Sequence, residues 1–143
     1  MSDKVRIAIA GCGGISYAHT NGYKILLENG IDNFQITATC DVDKARAERS
    51  ADTIKQFQGG NRPVVYTDFE QLANDKVADA VDICSSVSSH HTIALTAIKN
   101  GMHATIEKPF AITAKAGLKI VQTAEKMGKV IAISENARFS RGI

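Results

Sequence analysis

The chain has 143 residues, 44% of them apolar and 22% charged, with 17 lysines and arginines against 15 aspartates and glutamates. That length suits one α/β domain with a core that needs no staples. No apolar run approaches the ~20 residues of a membrane helix, and the scattered basic residues argue against nucleic acid or an acidic membrane as partner.

Met1-Ser2-Asp3-Lys4 leads into an apolar strand without a signal-peptide pattern. Cys12, Cys40 and Cys84 have no C-x-x-C spacing, so they indicate neither a disulfide framework nor a metal site. Reduced thiols fit the cytoplasm.

Residues 5–10 form an apolar first strand, and residues 15–29 carry apolar positions at helical spacing before Gly30. Phe34, Ile36, Ala38 and Cys40 alternate with Gln35, Thr37 and Thr39, a period of two that marks a second strand ending at Asp41. A helix over 43–57 breaks at Gly59-Gly60, and 63–66 reads as a short peripheral strand. Thr67-Asp68 caps a brief helix, and 80–84 is another buried strand. Ser88 or Ser89 is expected to cap a helix over 91–100. A strand over 103–106, a helix over 113–127 and a strand over 130–133 complete the set, followed by a polar loop and an abrupt finish at Ser140-Arg141-Gly142-Ile143. Strands alternating with helices predict a mostly parallel sheet with helices on both faces and right-handed crossovers.

Gly11-Cys12-Gly13-Gly14-Ile15-Ser16 follows a strand and opens a helix, the context that gives a glycine turn meaning. Gly11 permits the tight turn, Gly13 lets backbone approach a pyrophosphate, and the helix N-terminus at Gly14 and Ile15 offers free N–H groups and the positive end of the helix dipole. Ser16 replaces the usual third glycine. It requires a looser helix–strand contact or a hydroxyl that assists the phosphate. Asp41, at the tip of the second strand, is placed to accept hydrogen bonds from ribose hydroxyls and to repel a 2′-phosphate, which favours NAD over NADP. Lys44 and Arg46 just beyond it soften that preference. The fold expected is a Rossmann-type single domain.

The segment from Ala80 to Phe110 is more specific. Asp79-Ala80-Val81-Asp82-Ile83-Cys84, His90 and Gly101-Met102-His103-Ala104-Thr105-Ile106-Glu107-Lys108-Pro109 resemble the fourth strand, the following histidine and the Gly-x-His-x-x-x-Glu-Lys-Pro signature of the glucose-fructose oxidoreductase, inositol dehydrogenase and rhizopine-catabolism oxidoreductase family. The likeness runs from Gly11 and His19 through Asn136-Ala137-Arg138-Phe139. It implies hydride transfer between NAD and a sugar, inositol or similar polyol, with Lys108 catalytic at the reacting end of the cofactor. Its ammonium can hydrogen-bond a substrate hydroxyl or developing alkoxide.

The resemblance also implies that Cys84, Ser85, Ser86, His90 and Glu107 contact the cofactor, Glu107 orienting Lys108 as well. Ser85-Ser86-Val87 departs from the family's Thr-Pro-Asn. The Lys108–Pro109 bond is left open between cis and trans. His91 has no family counterpart, and His19 and His103 read as structural.

Such enzymes continue into a second α/β domain that forms the oligomer interface and supplies most substrate contacts, and that domain has no counterpart in these residues. The 143 residues are therefore expected to bind cofactor without turnover. Two alternatives stand: a stand-alone NAD-binding or redox-sensing module, and a methyltransferase-like use of the glycine turn for S-adenosylmethionine, which gives Glu107-Lys108-Pro109 no role.

Overall fold

The computed structural model describes residues 4–139, so Met1–Asp3 and the finish at Ser140–Ile143 lie outside the described residues. Its six strands are β1 (Val5–Ala10), β2 (Phe34–Cys40), β3 (Val64–Tyr66), β4 (Ala80–Ile83), β5 (His103–Glu107) and β6 (Ile131–Ser134). They form one sheet in the order β3-β2-β1-β4-β5-β6, and every neighbouring pair is parallel. The order reverses between β1 and β4. That is the point at which an open α/β sheet leaves a crevice at the carboxyl ends of its strands.

The helices are α1 (Gly14–Glu28), α2 (Lys44–Phe57), α3 (Phe69–Asn74), α4 (Val87–Lys99) and α5 (Ala114–Met127). Alternating strand residues explain their two layers. Ile9 and Ile36 pack with Ala47 and Ile54 of α2 and with Tyr23 of α1. Ala8, Val81, Ile83, Ala104 and Ile106 face the opposite way, onto Leu72 of α3, Ala94 and Ile98 of α4 and Ile120 of α5. Each fully buried isoleucine contributes about 1.5–3 kcal/mol.

Sequence-encoded caps fix the helix starts: Asp43 accepts from the N–H groups of Ala45 and Arg46, Asp68 from that of Glu70, and Thr113 from that of Ala116. Gly128 closes α5 in the left-handed conformation, with φ of 62°.

Several element boundaries differ from expectation, the largest shift being at the fourth helix. The fourth helix begins at Val87, with Ser86 at its N-cap, instead of after Ser88 or Ser89. Those serines lie inside its first turn, where the Ser89 hydroxyl donates back to the Ser86 carbonyl at 2.8 Å. The fifth strand runs on to Glu107, because that residue pairs in register with Ser134 of β6. Asn136–Phe139 forms a short 3₁₀ turn in place of a loop.

Candidate functional site

Gly11 leaves β1 with φ of 92°, a left-handed backbone that favours glycine. A Cβ there would stand 2.5 Å from the Ser85 nitrogen and 2.6 Å from the Cys84 carbonyl carbon, so the turn also needs glycine to pass beneath the loop after β4. Gly13 and Gly14 differ, since a Cβ on either meets nothing within 4 Å. Gly13 is the N-cap of α1, with no side-chain cap, and the first turn of the helix holds no acidic residue. Open space over an uncapped helix start fits a phosphate group, which backbone N–H groups and the helix dipole would receive.

Ser16, only 2% exposed, donates its hydroxyl to the Gly13 carbonyl at 2.6 Å. The proton is used inside the turn. Of the two arrangements considered for this serine, the hydroxyl's donor is thus committed to backbone and is not directed at a phosphate.

Asp41 sits just past β2, with Oδ2 accepting from the Cys12 N–H at 2.8 Å and Oδ1 from the Asp43 N–H at 2.9 Å. One carboxylate therefore braces the glycine turn and the start of α2. It remains partly exposed on the wall of a cleft of about 660 Å³. Gly11, Gly13, Asp41, Cys84, Ser85 and Ser86 come together as its lining, as does Arg46. Arg46 is held against Asp43 at 3.3 Å, and Lys44 lies near Glu48 at 3.7 Å.

Sequence reasoning missed Asp68, Phe69 and Ile93, which also line the cleft. These residues follow β3 or sit on α4, elements that only the strand order brings to the same cleft as the glycine turn. The serine-rich start of α4 lines the cleft with hydroxyls in mutual contact: Ser89 Oγ lies 2.9 Å from Ser85 Oγ, and Ser86 Oγ lies 3.0 Å from Ser88 Oγ.

Gly14, Ile15, His90, Glu107 and Lys108 do not line this cleft. Gly14 and Ile15 form the start of α1 beside it. His90 is 1% exposed, its Nδ1 lying 3.1 Å from the Pro109 carbonyl and its Nε2 3.0 Å from the Ser85 carbonyl. Instead of presenting a nitrogen to a ligand, the ring ties the loop after β4 to the loop after β5. The Lys108–Pro109 peptide bond is cis.

Lys108 is exposed, and its backbone N–H donates to Glu107 Oε2 at 3.0 Å. Glu107 is buried, and its other oxygen lies 3.1 Å from His19 Nε2. His19 Nδ1 in turn lies 2.9 Å from Asp82 Oδ2, which also accepts from the Tyr23 hydroxyl at 3.1 Å. The two carboxylates hold the imidazole proton tightly, Asp82 most strongly, and push His19 up to about 9 against the opposing effect of burial. The sequence signal for this network was Asp82, a charged residue in the middle of an apolar strand, which requires a partner when buried.

All three cysteines are buried. Burial is the chief reason Cys12 is pushed up to about 11 and Cys40 up to about 12, and Cys84 is raised further by nearby Asp82 and Glu107. Such thiols are poor nucleophiles at neutral pH. Ligand-capable atoms of His19, Asp82 and Cys84 lie within 4.8 Å of one another, yet their contacts here are hydrogen bonds, with Cys84 Sγ 3.7 Å from Asp82 Oδ1.

A family model described as an oxidoreductase family with an NAD-binding Rossmann fold matches residues 5–135. The chain belongs to this Gfo/Idh/MocA family. A glycosyl hydrolase family 109 protein of Akkermansia muciniphila is 31% identical over 97% of this chain and 28% of the relative. An inositol 2-dehydrogenase/D-chiro-inositol 3-dehydrogenase of Lactiplantibacillus plantarum is 28% identical over 87% of this chain and 33% of the relative. Among solved structures, an oxidoreductase of Thermotoga maritima superimposes with a TM-score of 0.82 at 30% identity, over 94% of this chain and 39% of that one. In each case the Gfo/Idh/MocA chain described here spans well under half of the relative's length. No helix among the described residues is long and apolar enough to cross a membrane.

Proposed function

We propose that this chain is the cofactor-binding part of an NAD-dependent oxidoreductase acting on a sugar, inositol or similar polyol. The observation that carries the reading is the pairing of an open, uncapped α1 start with the Asp41 carboxylate in one cleft. The N–H groups at Gly13, Gly14 and Ile15 receive the pyrophosphate, and Asp41 accepts from the adenosine ribose. Asp41 and Asp68 give that end of the cleft two carboxylates against Arg46, which supports NAD over NADP. Cys84, Ser85 and Ser86 border the cofactor from the β4 side. His90 and Glu107 act from behind, holding the segment that carries Lys108.

When bound, NAD supplies the hydride acceptor. Lys108 donates a hydrogen bond to the substrate oxygen and stabilises the charge that develops there. Substrate recognition and oligomer formation belong to a second domain, as the short span against the relatives supports, and free buried cysteines support a cytoplasmic setting.

Calorimetric titration with NAD, NADP and S-adenosylmethionine tests the reading. NAD is expected to bind most tightly, and tighter binding of either competitor overturns it. Steady NADH formation from a polyol by these 143 residues alone would refute the need for a second domain.

A second reading rests on the Akkermansia relative, named as a glycosyl hydrolase. In the chain joined to its proposed second domain, release of sugar from a glycoside with NAD present and no net NADH favours hydrolysis, whereas NADH accumulation favours the dehydrogenase.

A further inference from the structure

We propose that His19 is a positioning residue that locks the dinucleotide-binding helix to the Glu107–Lys108 segment. Asp82 on β4 and Glu107 on β5 are 2% and 8% exposed, and among the described residues His19 is the only cationic side chain paired with either. A neutral imidazole has one N–H and can donate to one carboxylate; contacts at both ring nitrogens with two carboxylates call for the imidazolium, which donates twice. Buried carboxylates left without that partner carry an uncompensated charge and must move or take up protons.

The two carboxylates that hold the ring have further partners of their own. From α1 the Tyr23 hydroxyl donates to the same Asp82 oxygen, and from β4 the Cys84 thiol lies against the other one. From β5 comes Glu107, whose second oxygen accepts the Lys108 N–H. The chain of contacts therefore runs without a gap from α1, through His19 and Glu107, to the backbone of Lys108. A displacement of α1 on phosphate binding is felt at the lysine, and by linkage the setting of the lysine is felt at the phosphate site. The part of this inference that gives Lys108 a chemical task rests on the function proposed above; the network itself does not.

The test is a pH titration by NMR of labelled protein, following the His19 imidazole and the Lys108 amide with and without NAD. His19 should remain an imidazolium through neutral pH and titrate near pH 9, and the Lys108 amide shift should move with the same midpoint. Glu107→Gln should lower the His19 midpoint, and His19→Gln should move the Lys108 amide while leaving that of Val64, on the far edge of the sheet, in place. A Lys108 amide indifferent to His19 ionisation overturns the proposal, using wild-type protein alone should the variants not fold. A shift of the His19 resonances on adding zinc also overturns it, by making the cluster a metal site. Failure to bind NAD would sink the function proposed above while leaving the linked titration intact, so the two can fail separately.

Discussion

The N–H of Cys12 donates to Asp41 Oδ2 across 2.8 Å, joining the turn after β1 to the tip of β2. The residue expected to select the cofactor is thus also a brace for the turn proposed to receive it.

Asp41→Asn separates these duties. The amide oxygen still accepts one backbone N–H, so stability should fall by about 1 kcal/mol. The carboxylate that repels a 2′-phosphate is gone, so NAD affinity should drop about tenfold and the NAD/NADP preference should shrink. Unfolding curves and calorimetry measure both; an unchanged preference would place cofactor selection elsewhere.

Gly11→Ala and Gly13→Ala should fail in opposite ways. At Gly11 the new Cβ collides with the backbone of Cys84 and Ser85, and the positive φ is strained as well. A loss of more than about 3 kcal/mol, or no folded protein, is expected. At Gly13 the space is open, so folding should change by less than about 1 kcal/mol while NAD binding weakens at least tenfold. Equal stability losses would contradict the geometry.

His19 makes stability depend on pH. Its folded value, about 9, lies above the ordinary imidazole value of 6.5. The stabilisation is therefore complete below pH 6.5 and is lost as pH rises through 9. With the side chain 17% exposed, a loss of about 1–2 kcal/mol between pH 6.5 and 9 is expected from urea unfolding. His19→Gln should flatten that slope. The window must stop near pH 9, because the raised Cys12 and Cys40 thiols add their own loss above it.

Thiol alkylation at pH 7.5 should be at least about a hundredfold slower in the folded protein than in urea, given burial and the upward shifts. Cys40 and Cys84 line the cleft and Cys12, within the turn, does not, so NAD should slow the first two further. Peptide mapping of labelled cysteines distinguishes them, and identical rates with and without NAD would remove the thiols from the cofactor's surroundings.

The strands and the glycine turn were readable because their signals are local: apolar runs bounded by glycines, and a spacing from Gly11 to Asp41 that needs only one crossover. The start of α4 was not. Ser85, Ser86, Ser88 and Ser89 have nearly equal cap propensity, and the hydroxyl contacts that distinguish them exist only once the turn has formed. His19 was read as a structural histidine because its partners are 63 and 88 residues away. No periodicity links them; parallel β4 and β5 bring Asp82 and Glu107 onto the side of the sheet where α1 lies. His90 matched a family position, but its burial and its two carbonyl partners depend on how the loops after β4 and β5 fold over it.

That imidazole has a consequence for how the site meets its ligands. A neutral ring has a single donor, so at any instant it can grip the Ser85 carbonyl or the Pro109 carbonyl, and only the doubly protonated ring grips both. Because the ring is buried and stands between both carbonyls, the loop after β4 and the loop after β5 share one side chain as their common support, and replacing it loosens both at once.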